Sequence, residues 1–274
     1  MPSFRTTILL AGAALTSVQA SALPADPSDN LTGTNHMMSR DIRGTLPEKA
    51  SDLEKKFQPV LDFDTDSCYH TSALDEHGGT NPGLGSVVKC PADDCRNPDR
   101  LDHANVYARS RCNNGWCAIM YEYYFEKDQA ICGSFLGGHR HDWENVIVFT
   151  QGDEVKRVSP SCHGKYEHPS DKPWIFENTH PKMVYHKDGA GTHCIRHAKD
   201  GDDNVENHKK EWIKAALVGW EGYPSTEMRD KVLDGKNWSS DGGIRPKLAD
   251  KDFANNLKSA AGDGVPGFDP EKDE

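Results

Sequence analysis

The chain is poor in aliphatic residues. Leu, Ile, Val and Phe together supply under a fifth of its 274 residues, below the share found in ordinary globular chains. Positive charge is also scarce, with 32 Lys and Arg against 43 Asp and Glu and a formal net charge of −11. That balance excludes a phosphate-backbone binder, which needs clustered Lys and Arg, so no nucleic-acid partner is expected. No apolar run after the first twenty residues approaches the ~20 residues that a membrane-spanning helix requires. The sequence has no internal repeat, P-loop, Gly-x-Ser-x-Gly elbow or His-Glu-x-x-His helix. His139-x-His141-x-x-Glu144 comes near a cupin arrangement, but its Glu arrives one residue too soon. Enzymatic activity is therefore not expected. A metal-dependent hydrolase stays as the minor alternative, with His163 and His193 as residues that could approach such a site.

What is present offsets the thin aliphatic content: six Trp, eight Tyr and eight Cys. Aromatic side chains each bury a large area, and disulfides staple small cores. Cys68, Cys90, Cys95, Cys112, Cys117, Cys132, Cys162 and Cys194 form an even set suited to four bridges, whose pairing the sequence does not choose. A Cys112–Cys117 bridge across Asn114-Gly115 is geometrically plausible, because Asn-Gly is a strong hairpin turn. The spacings do not match a zinc finger.

Residues 1–20 read as a secretory signal peptide, with Arg5, an apolar run from Thr6 to Leu15 and a small-x-small end at Val18-Gln19-Ala20. A secreted, extracellular protein follows, in a compartment where cysteines pair. Residues 21–44 read as a flexible leader. Leu46, Ala50, Leu53 and Phe57 recur at helical spacing. Short β-prone runs follow at 106–109, 116–125, 145–150, 182–186 and 212–218, separated by Gly, Asn, Asp and Pro. Met228 and Val232, then Phe253, Leu257 and Ala260, predict two short helices. The pattern predicts one mainly β domain over residues 45–262, a β-sandwich with peripheral short helices, followed by an acidic, disordered tail at 263–274.

The chemistry concentrates in Gly137-Gly138-His139-Arg140-His141-Asp142-Trp143-Glu144. In a strand over 142–149, period two puts Asp142, Glu144, Val146 and Val148 on one face and Trp143, Asn145, Ile147 and Phe149 on the other. His139 would be out of phase, unless the two glycines turn the chain. Asp128 lies upstream across a Gly-containing loop. Without a cation these carboxylates would repel one another; a divalent ion removes that cost. Oxygen ligands plus imidazole suit Mg²⁺, Mn²⁺ or Ca²⁺, with zinc as an alternative. The competing reading is a solvated turn in which the acids pair with Arg140 and nearby Lys residues.

Ala118-Ile119-Met120-Tyr121, Tyr124-Phe125, Lys127-Asp128 and the heptapeptide Gly138-His139-Arg140-His141-Asp142-Trp143-Glu144 resemble the signature of the necrosis- and ethylene-inducing-protein-like family. Supporting matches extend over about residues 45–260. The resemblance implies a sandwich like those of actinoporins and fungal lectins, and secretion into the plant apoplast. It also implies a divalent cation, Mg or Ca, held by Asp128, His139, Asp142 and Glu144. His193 is a weaker cavity candidate, and Arg140, His141 and Trp143 complete the motif. The implied partners are glycosyl inositol phosphoryl ceramide head groups of the plant plasma membrane, and a plant immune receptor that detects the 118–144 pattern. The implied outcome is cytolysis and necrosis by a monomer, with a non-cytotoxic binder or immune elicitor as the alternative. The chain departs from the family pattern at Glu126, where Pro is usual, and in having Cys132 inside the loop between Asp128 and His139.

Overall fold

The structure is a computed structural model that describes residues 44–86, 89–134, 137–167 and 174–274. The expected signal peptide and residues 21–43 of the leader lie outside the described residues. In chain order the elements are α1 (Asp52–Phe57), β1 (Val60–Phe63), β2 (His70–Thr71), α2 (Pro98–Asp102), β3 (Asn105–Asn113), β4 (Trp116–Asp128), β5 (His139–Gln151) and β6 (Glu154–Cys162). They continue with β7 (Lys165–Tyr166), β8 (Phe176–Glu177), β9 (His180–Lys187), β10 (His193–His197), β11 (Ala216–Val218), α3 (Thr226–Leu233) and α4 (Asp250–Ala261). Helix α1 starts later than its apolar spacing suggests. Ser51 and Glu54 form a reciprocal capping box there, and Leu46 instead enters the core.

Two sheets pack face to face. The larger runs β11-β3-β4-β5-β6-β7, with β2 beside β4; the smaller runs β1-β9-β10, with β8 beside β9. The alternation in β5 has the predicted phase. Val146 and Val148 face Phe63, Tyr185 and Ile195 of the smaller sheet, while Trp143, Ile147 and Phe149 pack under Phe253, Leu257 and Trp238 on the helical side. The domain is thus a sandwich with one sheet also covered by helices. Both faces of β4 and β5 are buried, which is why few aliphatics suffice: Tyr107, Tyr121, Tyr123, Tyr124 and Tyr185 are among the largest fully buried side chains.

The expected 212–218 strand is shorter, beginning at Ala216, where it pairs in parallel with β3. The expectation of a disordered tail at 263–274 is corrected. Asp269 N–H donates to Asn113 Oδ1 at 2.8 Å and Glu274 N–H to the Cys112 carbonyl at 2.9 Å, while Phe268 meets Phe149 edge-on. Composition is acidic there, but the β3–β4 hairpin offers unpaired backbone groups that the tail satisfies. The four bridges are Cys68–Cys95, Cys90–Cys132, Cys112–Cys117 and Cys162–Cys194. Cys112–Cys117 spans the predicted turn, where Asn114 and Gly115 both have positive φ, as a two-residue hairpin of this type requires.

His70 sits fully buried between Phe63 and the stacked ring of Tyr123, with neither ring nitrogen hydrogen-bonded among the described residues. Burial pushes its pKa down to about 3. The unfolded chain therefore binds the additional proton between pH 6.5 and 3, and the penalty is absent above that window and grows as pH falls through it. Between pH 7 and pH 5, His70 is expected to remove about 2 kcal/mol of stability. Urea unfolding of the wild type beside His70→Phe checks this: the wild type should lose more stability over that interval by about that amount. Parallel pH profiles would refute it.

Candidate functional site

β4 and β5 deliver the acidic cluster to one end of the sandwich. Their antiparallel register sets Phe125 opposite Asp142 and Asp128 opposite His139. The turn between them depends on Gly138, at φ 104°, because a Cβ there would lie 2.6 Å from the Asp128 carbonyl oxygen. The strand begins at His139, three residues before the expected 142–149 span. His141 adopts φ 58°, which interrupts the period-two alternation. As a result His139 lines the same cavity as Asp142 and Glu144. The two glycines were the expected source of that convergence; the reversed φ at His141 accomplishes it.

Each acid has a distinct setting. Asp128 accepts from the backbone N–H of His193 at 2.9 Å and lies 2.7 Å from its Nδ1. Tyr185 donates to Asp142 at 3.0 Å, and Ser161 donates to Glu144 while also accepting the Asn145 N–H. Burial, reinforced by the neighbouring Asp128 carboxylate, pushes Asp142 up to about 6. Burial and the adjacent Asp142 push Glu144 well above the usual carboxylate range. Arg140 does not neutralise them: its guanidinium donates to the carbonyls of Pro82 and Gly83. The solvated-turn reading therefore does not describe this cluster.

The remaining motif residues divide by side. His141 turns to the helical layer, with Nδ1 2.7 Å from the Tyr124 hydroxyl and its ring edge-on to Trp238. Burial and the nearby Arg140 charge push its pKa down to about 4. Trp143 packs with Tyr124 and Trp238 in the same layer. His141 supports the strand away from the acids, whereas Trp143 packs in that layer and also borders the acid cavity. His193 joins the cluster through Asp128 and stacks on Tyr185; its Nε2 is buried without a hydrogen bond among the described residues, 3.7 Å from Asp66. His163 pairs instead with Asp188 at 3.2 Å. Sequence reasoning missed Ser161 and Tyr185. Ser161 is adjacent to Cys162, and that bridge to Cys194 places it across from His193; Tyr185 lies in a recognised strand but carries no motif.

The departures have structural answers. Glu126 turns away from the cavity into a buried ion pair with Arg100, 2.7 Å from Nε, so it adds no free charge beside Asp128. Lys127, fully buried, pairs with Asp94 at 2.9 Å. Cys132 is tied to Cys90 and anchors the loop leaving Asp128.

The donor set fits a hard divalent cation. Three carboxylates lie at or below 9% exposure, with two imidazoles beside them; the Nε2 of His193 has no hydrogen bond among the described residues and lies 3.7 Å from Asp66. Among the described residues, the metal-competent group with all ligand atoms within 4.8 Å is elsewhere: Cys162, His163, Asp188 and Cys194. Its sulfurs are joined in a disulfide, so no thiolates remain to bind. The acidic cluster is more open, which suits a cation that keeps part of its water shell.

Known proteins share the sequence pattern and the fold. The sequence pattern described as "Necrosis inducing protein (NPP1)" matches residues 51–260. NLP effector protein 3 of Phytophthora capsici is 30% identical over 71% of this chain and 84% of its own length. Against NLP effector protein Pc107869 of the same organism, at 28% identity, the match covers 74% of this chain but 57% of that protein. Among solved structures, necrosis and ethylene inducing protein 2 from the agent of cocoa's witches' broom disease superposes with a TM-score of 0.66 at 28% identity, over 81% of this chain and 97% of that one. NLPPya in complex with mannosamine gives 0.63 at 26% identity, over 80% and 96%, and the non-toxic HaNLP3 protein gives 0.63 at 26%, over 81% and 97%. With the matched pattern covering most of the sandwich, this chain belongs to the necrosis-inducing protein (NPP1) family.

Proposed function

We propose that this protein is a secreted, divalent-cation-dependent binder of sugar head groups on plant sphingolipids, and that binding damages the plasma membrane. The observation that carries this reading is the pair of buried carboxylates, Asp142 and Glu144, close to Asp128, with no Lys or Arg in an ion pair with either of them among the described residues. Asp128, Asp142, Glu144 and His139 would hold the cation, with His193 aligning Asp128. A bound cation supplies open coordination positions for sugar hydroxyls and reverses the local charge, so an acidic protein can approach an anionic lipid. Mg or Ca suits the oxygen donors best. NLPPya has been crystallised with mannosamine and with glucosamine, which supports sugar recognition at such a fold. The reading is of binding, with no bond cleaved.

The non-toxic HaNLP3 superposes as well as NLPPya does, so fold alone does not separate a cytolysin from a silent binder or immune elicitor. Infiltration of purified protein into dicot leaves, wild type beside Asp142→Ala, separates them. The cytolysin reading expects ion leakage from the wild type, at least tenfold less from the variant, and suppression by chelator. Immune signalling without leakage would favour the elicitor.

A further inference from the structure

The Cys162–Cys194 bridge sits in a cluster of metal-competent groups that shares no residue with the acids. Two hairpins meet there. β6 and β7 carry Cys162 and His163 into a tight turn, with His163 at φ 50° and Gly164 at φ 73°. β9 and β10 bring His186, Asp188 and Cys194, and their turn is closed by Asp188 N–H donating to the Thr192 carbonyl at 3.1 Å. One donor atom from each of Cys162, His163, Asp188 and Cys194 falls within 4.8 Å of the other three. His163 Nε2 is 3.2 Å and Cys162 Sγ 3.9 Å from the same Asp188 oxygen, Oδ2. Cys194 Sγ lies 3.8 Å from His186 Nε2. Two sulfurs, an imidazole and a carboxylate this close together need little movement to reach the ~2.0–2.3 Å bonds of tetrahedral zinc. In the oxidised chain the two sulfurs are bonded to each other instead.

We propose that thiol reduction of the Cys162–Cys194 bridge unmasks a zinc site made by both thiolates, His163 and Asp188. A low-molecular-weight thiol is the reductant. One reductant thiolate attacks Cys162 Sγ, on the less buried residue of the pair, forming a mixed disulfide and releasing Cys194 as thiolate. A second reductant thiol frees Cys162. Two electrons have then reduced the bridge, the reductant leaves as its own disulfide, and zinc displaces the protons of the two protein thiols. Thiolates select zinc over the hard cations that suit the acid cluster. Burial and the Arg196 charge hold His186 below its ordinary pKa, so at neutral pH it is an uncharged ring able to donate from Nε2 to the Cys194 sulfur and fix that ligand. The position of the site gives zinc a consequence. Ser161, which donates to Glu144, precedes Cys162, and His193, which meets Asp128, precedes Cys194. Zinc would keep β6 tied to β10 after a reductant has removed the covalent bond. The proposal stands apart from the sugar-binding reading and uses none of its cation ligands.

The test is cobalt(II) titration of phosphine-reduced protein under argon, with Mg²⁺ in excess to occupy the acid cluster. The expected result is a thiolate-to-cobalt charge-transfer band together with the visible bands of tetrahedral cobalt, all bleached by zinc; the oxidised protein should show none of them. Cys162→Ser combined with Cys194→Ser should abolish the bands. His186→Phe should weaken cobalt binding about tenfold, the usual cost of losing a hydrogen bond to a metal ligand, and His163→Ala or Asp188→Ala should weaken it more. No charge-transfer band in protein whose Cys162 and Cys194 are shown to be free by alkylation and mass spectrometry would overturn the proposal. So would a band that survives in the double serine variant, or one unchanged in both His163→Ala and Asp188→Ala, because other reduced cysteines would then hold the metal. If full reduction unfolds the chain, Cys162→His carries the test with the other three bridges oxidised. It should give a charge-transfer band from Cys194, and its absence would be equally decisive against the site.

Discussion

Arg100→Ala is expected to cost about 3–5 kcal/mol of stability, because it leaves the Glu126 carboxylate buried without its partner. Arg100 is 4% exposed and Glu126 1%, and the second carboxylate oxygen of Glu126 already lacks a hydrogen bond among the described residues. Burial raises the Glu126 pKa despite the adjacent guanidinium, so the pair has little reserve once that guanidinium is removed. Urea denaturation at pH 7 measures the loss. Arg100→Leu combined with Glu126→Gln should recover more than half of it, since a neutral amide costs less to bury than an unpaired charge. A loss under 1 kcal/mol in Arg100→Ala would show that Glu126 reaches solvent. Asp128 is two residues along the same strand, so the ion pair also fixes the strand end from which that acid projects.

The second large effect runs in opposite directions for stability and binding. Asp142→Asn keeps an acceptor for the Tyr185 hydroxyl but removes the charge that burial and Asp128 both disfavour. On the proposed cation reading, Mn²⁺ affinity is expected to fall at least a hundredfold, because one of the proposed carboxylate ligands is lost. The cation-free protein is expected to gain roughly 1–3 kcal/mol, since a charge that was held at a cost is gone. Thermal unfolding in chelator, set beside cation titration, reads both quantities. If the variant lost binding and stability together, Asp142 would be a structural residue and not a site acid. Such trades are common where function keeps like charges close in a buried place.

Much of this was legible in the chain. The β5 alternation placed Val146 and Val148 between the sheets and Trp143 and Ile147 on the helical side, because period two holds wherever φ stays extended. The hairpin bridge at Asn114-Gly115 was readable because the turn chemistry is local. Four features were not legible. The reversed φ at His141 has no local signature, since His is an ordinary strand residue. Ser161 and Tyr185 reach the acids through register between distant strands, which composition does not encode. The order of the tail depends on the Asn113 side chain and the Cys112 carbonyl of the β3–β4 hairpin, more than 150 residues away in sequence by the separation of the Asn113–Asp269 pair. Glu126 looked like an added charge beside the site because its partner Arg100 lies in another element, α2.

The two parallel pairings have a kinetic consequence. β1 lies against β9, with Val60 opposite Lys182, and β11 against β3, with Ala216 opposite Asn105. Neither sheet can be completed by a neighbouring hairpin, so loop-closure entropy is lost over long spans before those contacts form. During synthesis, cysteines from 68 to 132 are therefore released before β9 and β11 exist to close the sheets around them. Of the four bridges, only Cys112–Cys117 can form from local structure alone. Cys112–Cys117 needs only the β3–β4 hairpin, whereas Cys162–Cys194 joins β6 to β10 and must wait for that later strand, so topology orders these two closures.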